Sequence, residues 1–102
     1  MGEIGYRKSG SKTYVSIGGV EVGWATKIGR EWLFFAPVSD SLQGERMSAA
    51  NTRWEAVYYG LSRLKSFYLG RVVGTDGEPV WVSEEALKSV MDGLLMEHYG
   101  AA

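Results

Sequence analysis

A single histidine, His98, supplies the only imidazole in the chain, and there is no cysteine. A catalytic or metal-binding histidine needs a second polar group beside it. Glu97, its neighbour in sequence, would point to a different side of a helix. We therefore expect His98 to lie near a helix C-terminus, either as a favourable partner of the helix dipole or as a surface residue.

Carboxylates are the next groups that could do chemistry, and four of them surround the predicted start of the last helix: Asp76, Glu78, Glu84 and Glu85. Paired carboxylates bind divalent metals or transfer protons. The segment Thr75-Asp76-Gly77-Glu78 lacks the longer, spaced oxygen pattern of a calcium loop, and turn formation with helix capping explains each residue. We predict no metal and no cofactor.

Motifs for phosphate binding and nucleophilic catalysis are absent from the sequence. There are 14 glycines, yet no Gly-x4-Gly-Lys-Ser/Thr loop occurs and no Gly-x-Gly-x-x-Gly opens a helix. No serine lies in a nucleophile elbow, and no histidine is available as its base. We predict that the protein has no catalytic residues and is not an enzyme.

Aromatic residues make up 13% of the chain and are the main candidates for binding. Trp24 and Trp54 fit an interface between a sheet and a helix. Tyr14, Trp32 and Phe34 would share the other face of the sheet, and aromatic side chains dominate many protein contacts. These three either form a protein-binding patch or lie under the last helix, and both outcomes remain open.

Length and charge limit the size of the protein and its choice of partners. The 102 residues, 45% of them apolar, predict one domain with a modest core. Residues 1–75 carry ten bases and six acids, a net +4, whereas residues 76–102 carry one base and six acids, a net −5. Two segments that dock through complementary charge explain this asymmetry better than a nucleic-acid-binding face, because +4 is low for a protein that follows phosphates.

The sequence offers no membrane-spanning candidate. No apolar run approaches the ~18 residues that a membrane helix needs, and the N-terminus lacks a signal-peptide core. The lack of cysteine suits a reducing compartment, although it permits any. We expect a soluble, cytoplasmic protein with no membrane partner.

Two β-hairpins are predicted to position the aromatic residues. Gly18-Gly19 favours a two-residue turn, because glycine reaches positive φ without steric strain. The register that follows from this turn pairs Ile17 with Val20, Val15 with Val22 and Thr13 with Trp24 on one face, and Tyr14 with Gly23 on the other. This pattern predicts one buried sheet face.

The second hairpin turns at Ile28-Gly29 or Gly29-Arg30 and leads into a strand over 31–36. The predicted core face is then made of Val15, Ile17, Val20, Val22, Trp24, Leu33 and Phe35. A three-residue turn would instead send Trp32 and Phe34 inward, because side chains alternate along a strand. Pro37 ends this strand, and residues 39–50 are expected to form a loop.

Two helices complete the prediction. The first runs from about Thr52 to Tyr68 with Asn51 or Thr52 as its N-cap. Its apolar face consists of Trp54, Val57, Tyr58, Leu61, Leu64 and Tyr68. A short hairpin or extended connection is expected over 71–82, and Ser83 caps the last helix. The fold class is therefore α+β: an antiparallel sheet of three or four strands packed by one helix, plus a C-terminal amphipathic helix.

The whole chain, 1–102, is expected to form a single domain. Residues 12–68 give the β-meander and its helix, and residues 71–100 give the connection and the last helix. An apolar stripe on the last helix needs a partner, and its members are Leu87, Val90, Met91, Leu94 and Leu95. We expect this stripe to pair with its symmetry mate in a homodimer, with docking inside the chain as the alternative.

The segment from residue 12 to 64 resembles small uncharacterised proteins of actinobacteria and their phages. In those proteins a tryptophan-containing strand is followed by a Thr-Arg-x-x-Ala helix start, which here is Thr52-Arg53-Trp54-Glu55-Ala56. More distantly, the topology is similar to DNA-binding domains that read the major groove with a three-stranded sheet. That second resemblance implies DNA contacts from Lys12, Lys27 and Arg30.

The sequence therefore favours a non-enzymatic protein-interaction module. We expect this module to be a phage accessory protein that acts on a host factor. Its expected binding residues are Tyr14, Trp32 and Phe34. The alternative is a double-stranded DNA-binding protein that uses the sheet.

Overall fold

The computed structural model describes residues 4–38, 41–65 and 84–99. These residues form five strands followed by two helices. In chain order the elements are β1 (Ile4–Ser9), β2 (Lys12–Ile17), β3 (Val20–Ile28), β4 (Glu31–Val38), β5 (Ser41–Ala50), α1 (Arg53–Arg63) and α2 (Glu84–Tyr99). The predicted α+β class is confirmed, although the sheet has five described strands where three or four were expected.

The sheet is an antiparallel meander in which the spatial order of the strands follows their order in the chain. Both predicted hairpin turns are present: Ile17 pairs with Val20 around Gly18-Gly19, and Ile28 pairs with Glu31 around Gly29-Arg30. The turn glycines have positive φ values, for example 83° at Gly19 and 65° at Gly29. Other residue types would be strained in that conformation.

The strand β5 corrects the prediction of a loop over residues 39–50. Its residues are mostly small or polar, and its register against β4 is interrupted twice. Such β-bulges break the alternation of apolar and polar residues by which a strand is recognised in sequence. The outermost strand β1 pairs regularly with β2 and was not indicated by the hydrophobic pattern.

A β-bulge between β2 and β3 changes which side chains face the core. Ser16 pairs with Glu21, but the next residue of β2, Val15, pairs with Gly23, so Val22 is the extra residue. Beyond it, β3 is shifted by one position, and Trp24 pairs with Tyr14. Because side chains alternate along a strand, this shift moves Trp24 to the face opposite the one predicted.

The predicted core face is therefore wrong for the residues that lie beyond the bulge. Trp24, with its cross-strand partner Phe35, lies on the face away from the helices, and so does Leu33, which pairs with Thr26. Phe34 points to the helices and is fully buried, at 0% exposure. The turn at Gly29-Arg30 has the two residues expected, so the bulge rather than the turn sends Trp32 and Phe34 inward.

Both helices cover the same face of the sheet. The helix α1 packs on β3, β4 and β5, and α2 lies beside it and reaches β2. Glycine at position 60 of α1 lets the helix approach Phe34 so closely that a Cβ would overlap the ring. The buried core consists of Val15, Ile17, Val22, Ala25, Phe34, Ala36, Met47, Ala56, Val57, Leu61, Leu64, Leu87, Val90 and Leu94.

The apolar stripe of α2 is satisfied within the chain, which removes the reason for predicting a dimer through it. Leu87, Val90 and Leu94 belong to the core just described, and Met91 and Leu95 are half-buried. Lys65, just past the end of α1, lies 3.9 Å from the carboxylate of Glu84 at the start of α2. The alternative expectation, docking inside the chain, is the arrangement observed. The helix covers the same sheet face as α1, so the face with Trp24 stays uncovered by any described element.

The helix α1 starts with a capping interaction at Thr52, one of the two N-caps expected. The Thr52 hydroxyl accepts a hydrogen bond from the backbone N–H of Glu55 at 3.4 Å and donates one to its carboxylate at 2.7 Å. Thr52→Ala is expected to lower the free energy of unfolding by about 1 kcal/mol, because an N-terminal amide loses its acceptor.

Chemical denaturation of the two variants Thr52→Ala and Asn51→Ala checks this expectation. Asn51 precedes the cap and serves as the matched control, with an expected change within about 0.5 kcal/mol. Equal losses in the two variants would assign the cap elsewhere.

Several expectations fall on residues that the structure does not describe. These are the end of the first helix over 66–68, the hairpin or extended connection over 71–82, and the cap at Ser83. None of the helices that the structure describes is long and apolar enough to cross a membrane.

Candidate functional site

The face of the sheet away from the helices carries a row of three aromatic rings. Tyr14 on β2 and Trp24 on β3 have ring centroids 5.9 Å apart, and Trp24 and Phe35 on β4 are 6.0 Å apart and stacked at 16°. The bulge at Val22 and the two-residue turn at Gly29-Arg30 together bring these three residues into line. The row runs across neighbouring strands rather than along one.

Trp24 is the centre of the row and is only 8% exposed, although it does not belong to the main core cluster. Tyr14 and Phe35 lie on either side of it, and the far edge of its indole faces Gly44 of β5, where a Cβ would come within 2.5 Å of the ring. Trp24 therefore supports the two rings beside it, Tyr14 and Phe35, which are half-buried and so more exposed than Trp24 itself.

Cations lie over this aromatic row. The Arg7 guanidinium is 4.4 Å from the centroid of Tyr14, and the Lys12 ammonium is 4.9 Å from the ring of Trp24. Arg46 pairs with Phe35 across β4 and β5, so it shares the same face. We name Arg7, Lys12, Tyr14, Trp24, Phe35 and Arg46 the outer aromatic face. Favourable cation–π geometry of this kind keeps long basic side chains close to the rings.

Arg7 is also held by an acid. Its guanidinium donates two hydrogen bonds to Glu21, at 2.6 and 3.0 Å, across the width of β1, β2 and β3. The hydrogen bond to Glu21 raises the pKa of Arg7. Desolvation lowers this pKa, and the negative charge of Glu21 raises it further. Arg7 therefore stays charged, and its hydrogen bonds to Glu21 hold it at the edge of the outer aromatic face.

The predicted protein-binding residues do not share one face. Tyr14 lies on the outer aromatic face as expected. Trp32 and Phe34 lie on the opposite face, towards α1, where Trp32 packs against the core and Phe34 is inside it. A fully buried ring offers no surface to a partner, which argues against the expected binding role of Phe34, and its neighbour Phe35 is the phenylalanine on the outer aromatic face. Both Trp24 and Phe35 were assigned to the core by the sequence pattern.

The cations predicted for DNA binding are also divided. Lys12 lies on the outer aromatic face, over Trp24. Lys27 pairs with Trp32 and so lies on the helix side of the sheet, and Arg30 is in the β3–β4 turn. The register of the sheet places Arg7 and Arg46 on the same face as Lys12.

A second aromatic group joins the ends of the helices, and it contains the histidine. His98 of α2 stacks on Trp54 of α1 with centroids 4.5 Å apart and planes at 4°, and Tyr99 meets the same indole edge-on. His98 is an exposed residue near the helix C-terminus, as expected, and its stacking on Trp54 was not anticipated. The contacts join the N-terminal end of α1 to the C-terminal end of α2.

Tyr6 of β1 lies near this second group. Arg53 is 5.0 Å from its ring centroid. Burial raises the pKa of the Tyr6 phenol, while the charge of Arg53 lowers it and that of Glu97 raises it. These residues fasten the outermost strand to the helices.

No metal site is found within the described parts of the chain, which contain no cluster of three histidine, aspartate or glutamate side chains. Of the four carboxylates considered in the sequence, Asp76 and Glu78 lie outside those parts. Glu84 and Glu85 are exposed in the first turn of α2, where acids favour the helix dipole.

Neither the family models, nor the curated proteins, nor the solved structures with which the chain was compared contain a match to it.

Proposed function

We propose that this protein is a small, non-enzymatic protein-interaction module that binds its partner through the outer aromatic face. The observation that carries the proposal is the row Tyr14–Trp24–Phe35 on a sheet face against which no described helix or strand packs. Rigid aromatic side chains next to arginine are the residue types that contribute most binding energy in protein interfaces.

The rigidity of the row supports this function. Trp24 is packed between its two neighbours and Gly44, so Tyr14 and Phe35 are held in place before any partner arrives. A preformed surface loses little side-chain entropy on binding, which leaves more of the contact energy for affinity. In line with the sequence-based expectation for residues 12–64, we also propose a host protein as the partner and the cytoplasm as the place of binding.

Site-specific cross-linking tests the proposal. Replacing Tyr14 with the photoreactive p-benzoylphenylalanine is expected to give a covalent adduct with a protein partner on illumination in cells. The same replacement at Tyr59 is the matched control, since that tyrosine is 53% exposed but lies on α1, on the other side of the sheet. Adding Phe35→Ala to the variant that is photoreactive at position 14 is expected to reduce the adduct by roughly tenfold or more, as for an interface hot spot.

The second candidate function, binding of double-stranded DNA by the sheet, has one observation in its favour: Arg7, Lys12 and Arg46 lie on the same face. Illumination of a cell lysate, with and without prior nuclease treatment, separates the two. An adduct at position 14 that persists after nuclease treatment supports the protein partner. An adduct that is lost with the nucleic acid, or one that forms equally at position 59, contradicts the proposal.

A further inference from the structure

More positively charged than negatively charged side chains surround the aromatic row. Arg7, Lys12 and Arg46 are the cations of the outer aromatic face. Among the described residues of that sheet face, the carboxylates are Glu21, which is bound to Arg7, and Glu31, which is at the end of the β3–β4 hairpin. The rings are therefore bordered by positive charge.

Two of the three cations have no acid beside them. Within the described residues no carboxylate lies within ion-pair distance of Lys12 or of Arg46. Lys12 is over the ring of Trp24 and Arg46 is opposite Phe35, so the two charges lie on different strands around the middle of the row. A ligand that covers the rings would meet both charges.

We infer that the partner's contact segment is acidic, with apolar side chains that cover Tyr14 and Phe35 and carboxylates that reach Lys12 and Arg46. This inference rests on the proposed function and adds the chemistry of the partner. A carboxylate near each cation gains charge complementarity, and an apolar side chain gains contact with the rings that Trp24 supports.

The same geometry disfavours a nucleic acid and a second copy of the chain. Bases stack on open ring faces, but Trp24 is 8% exposed, with Tyr14, Phe35 and Lys12 against its ring. The two cations that have no carboxylate partner among the described residues, Lys12 and Arg46, also give only a short basic track for a phosphate backbone. A second copy would bring its own Lys12 and Arg46 to the interface, which opposes like charges.

Selection from a library of random linear peptides displayed on phage, with the full chain as bait, tests the inference. Enriched peptides are expected to combine net negative charge with aromatic or aliphatic residues. For one enriched peptide, Lys12→Gln and Arg46→Gln are each expected to weaken binding by roughly two- to fivefold, the usual size of an exposed charge pair. Lys27→Gln is the matched control with unchanged affinity, because Lys27 is on the helix side of the sheet.

The outcomes separate this inference from the function on which it rests. Enriched peptides that are neutral or basic, yet are lost on Tyr14→Ala with Phe35→Ala, overturn the acidic partner and leave the interaction face standing. Peptides that still bind that double variant, or a selection with no enrichment, overturn both. Circular dichroism of each variant tests whether the fold is kept.

Discussion

Phe34→Ala is expected to lower the free energy of unfolding by about 3–5 kcal/mol, the range for truncating a fully buried aromatic ring. The ring is 0% exposed, and it fills the space that two glycines leave open, Gly23 on β3 and Gly60 on α1. Removing it leaves a cavity between the sheet and α1 that neither backbone can close. Domains are stable by ~5–15 kcal/mol, so this one change removes a large share of the total.

Urea denaturation followed by tryptophan fluorescence measures this loss, and Phe35→Ala is the matched control. Phe35 is the next residue of the same strand, is half-buried and stacks on Trp24 from the outer side. We expect it to cost clearly less than Phe34→Ala, because part of its ring is already in water. A larger loss at Phe35 than at Phe34 would contradict the facing of β4.

This contrast between adjacent phenylalanines is the part of the fold that the sequence predicts least well. Both hairpin turns could be located, because Gly18-Gly19 and Gly29 supply positive φ values that few other residues reach. The bulge at Val22 has no such marker in the apolar pattern. One inserted residue exchanges the two faces of the rest of β3, and with it those of β4.

A signal for that bulge does exist at Gly23. An isolated glycine inside a strand pattern often marks a bulge or a close approach of backbone, and here it marks both. A Cβ at Gly23 would lie 2.5 Å from the carbonyl oxygen of Phe35 and 2.6 Å from the ring of Phe34. The apolar pattern predicts Tyr14 opposite this glycine, whereas Val15 is its neighbour in the sheet and the ring of Phe34 covers it.

The helices were more predictable than the strands. Val57, Leu61 and Leu64 lie at helical spacing on the buried face of α1, and Leu87, Val90 and Leu94 do so on α2. A continuous apolar stripe in a helix depends only on local geometry. Whether a stripe is covered by its own chain or by another copy depends on tertiary structure, which is why the dimer was expected and the intrachain contact was found.

The sequence predicted the kind of site, an aromatic sheet face, but not most of the residues that form it. An aromatic sheet face away from α1 was expected, and Tyr14 belongs to it. Trp24, Phe35, Arg7 and Arg46 join the site through cross-strand pairs between residues far apart in sequence. Such pairs follow from the register of the whole sheet, which no local pattern defines.

Gly60→Ala is expected to lower the free energy of unfolding by about 2 kcal/mol, the overpacking cost less the ~1 kcal/mol that alanine gains over glycine in a helix. The new methyl group would overlap two ring atoms of Phe34, Cδ2 and, at 2.7 Å, Cγ, and would make a tight contact with its Cβ at 3.0 Å. Phe34 is fixed by the core around it, so either α1 must move away from the sheet or the ring must leave its rotamer.

Gly93→Ala provides the matched control because the same change occurs inside α2 with nothing within 4 Å of the added carbon. There the helix preference acts alone, and we expect the free energy of unfolding to rise by about 0.5–1 kcal/mol. Opposite signs for one substitution in two helices of one protein would show that contact with Phe34, rather than helix propensity, determines the outcome at position 60.

The close contact between Gly60 and Phe34 predicts that the effects of the two substitutions are not additive in the double variant. With Phe34→Ala already present, the overlap with the ring is gone and only the contact with Cβ remains. Gly60→Ala should then cost close to nothing, which gives a coupling energy of roughly 2 kcal/mol, within the range measured for residues in direct contact. Thermal or urea unfolding of the four proteins in this cycle measures the coupling. Additive losses would mean that α1 is not held against Phe34 and that the glycine is needed for another reason.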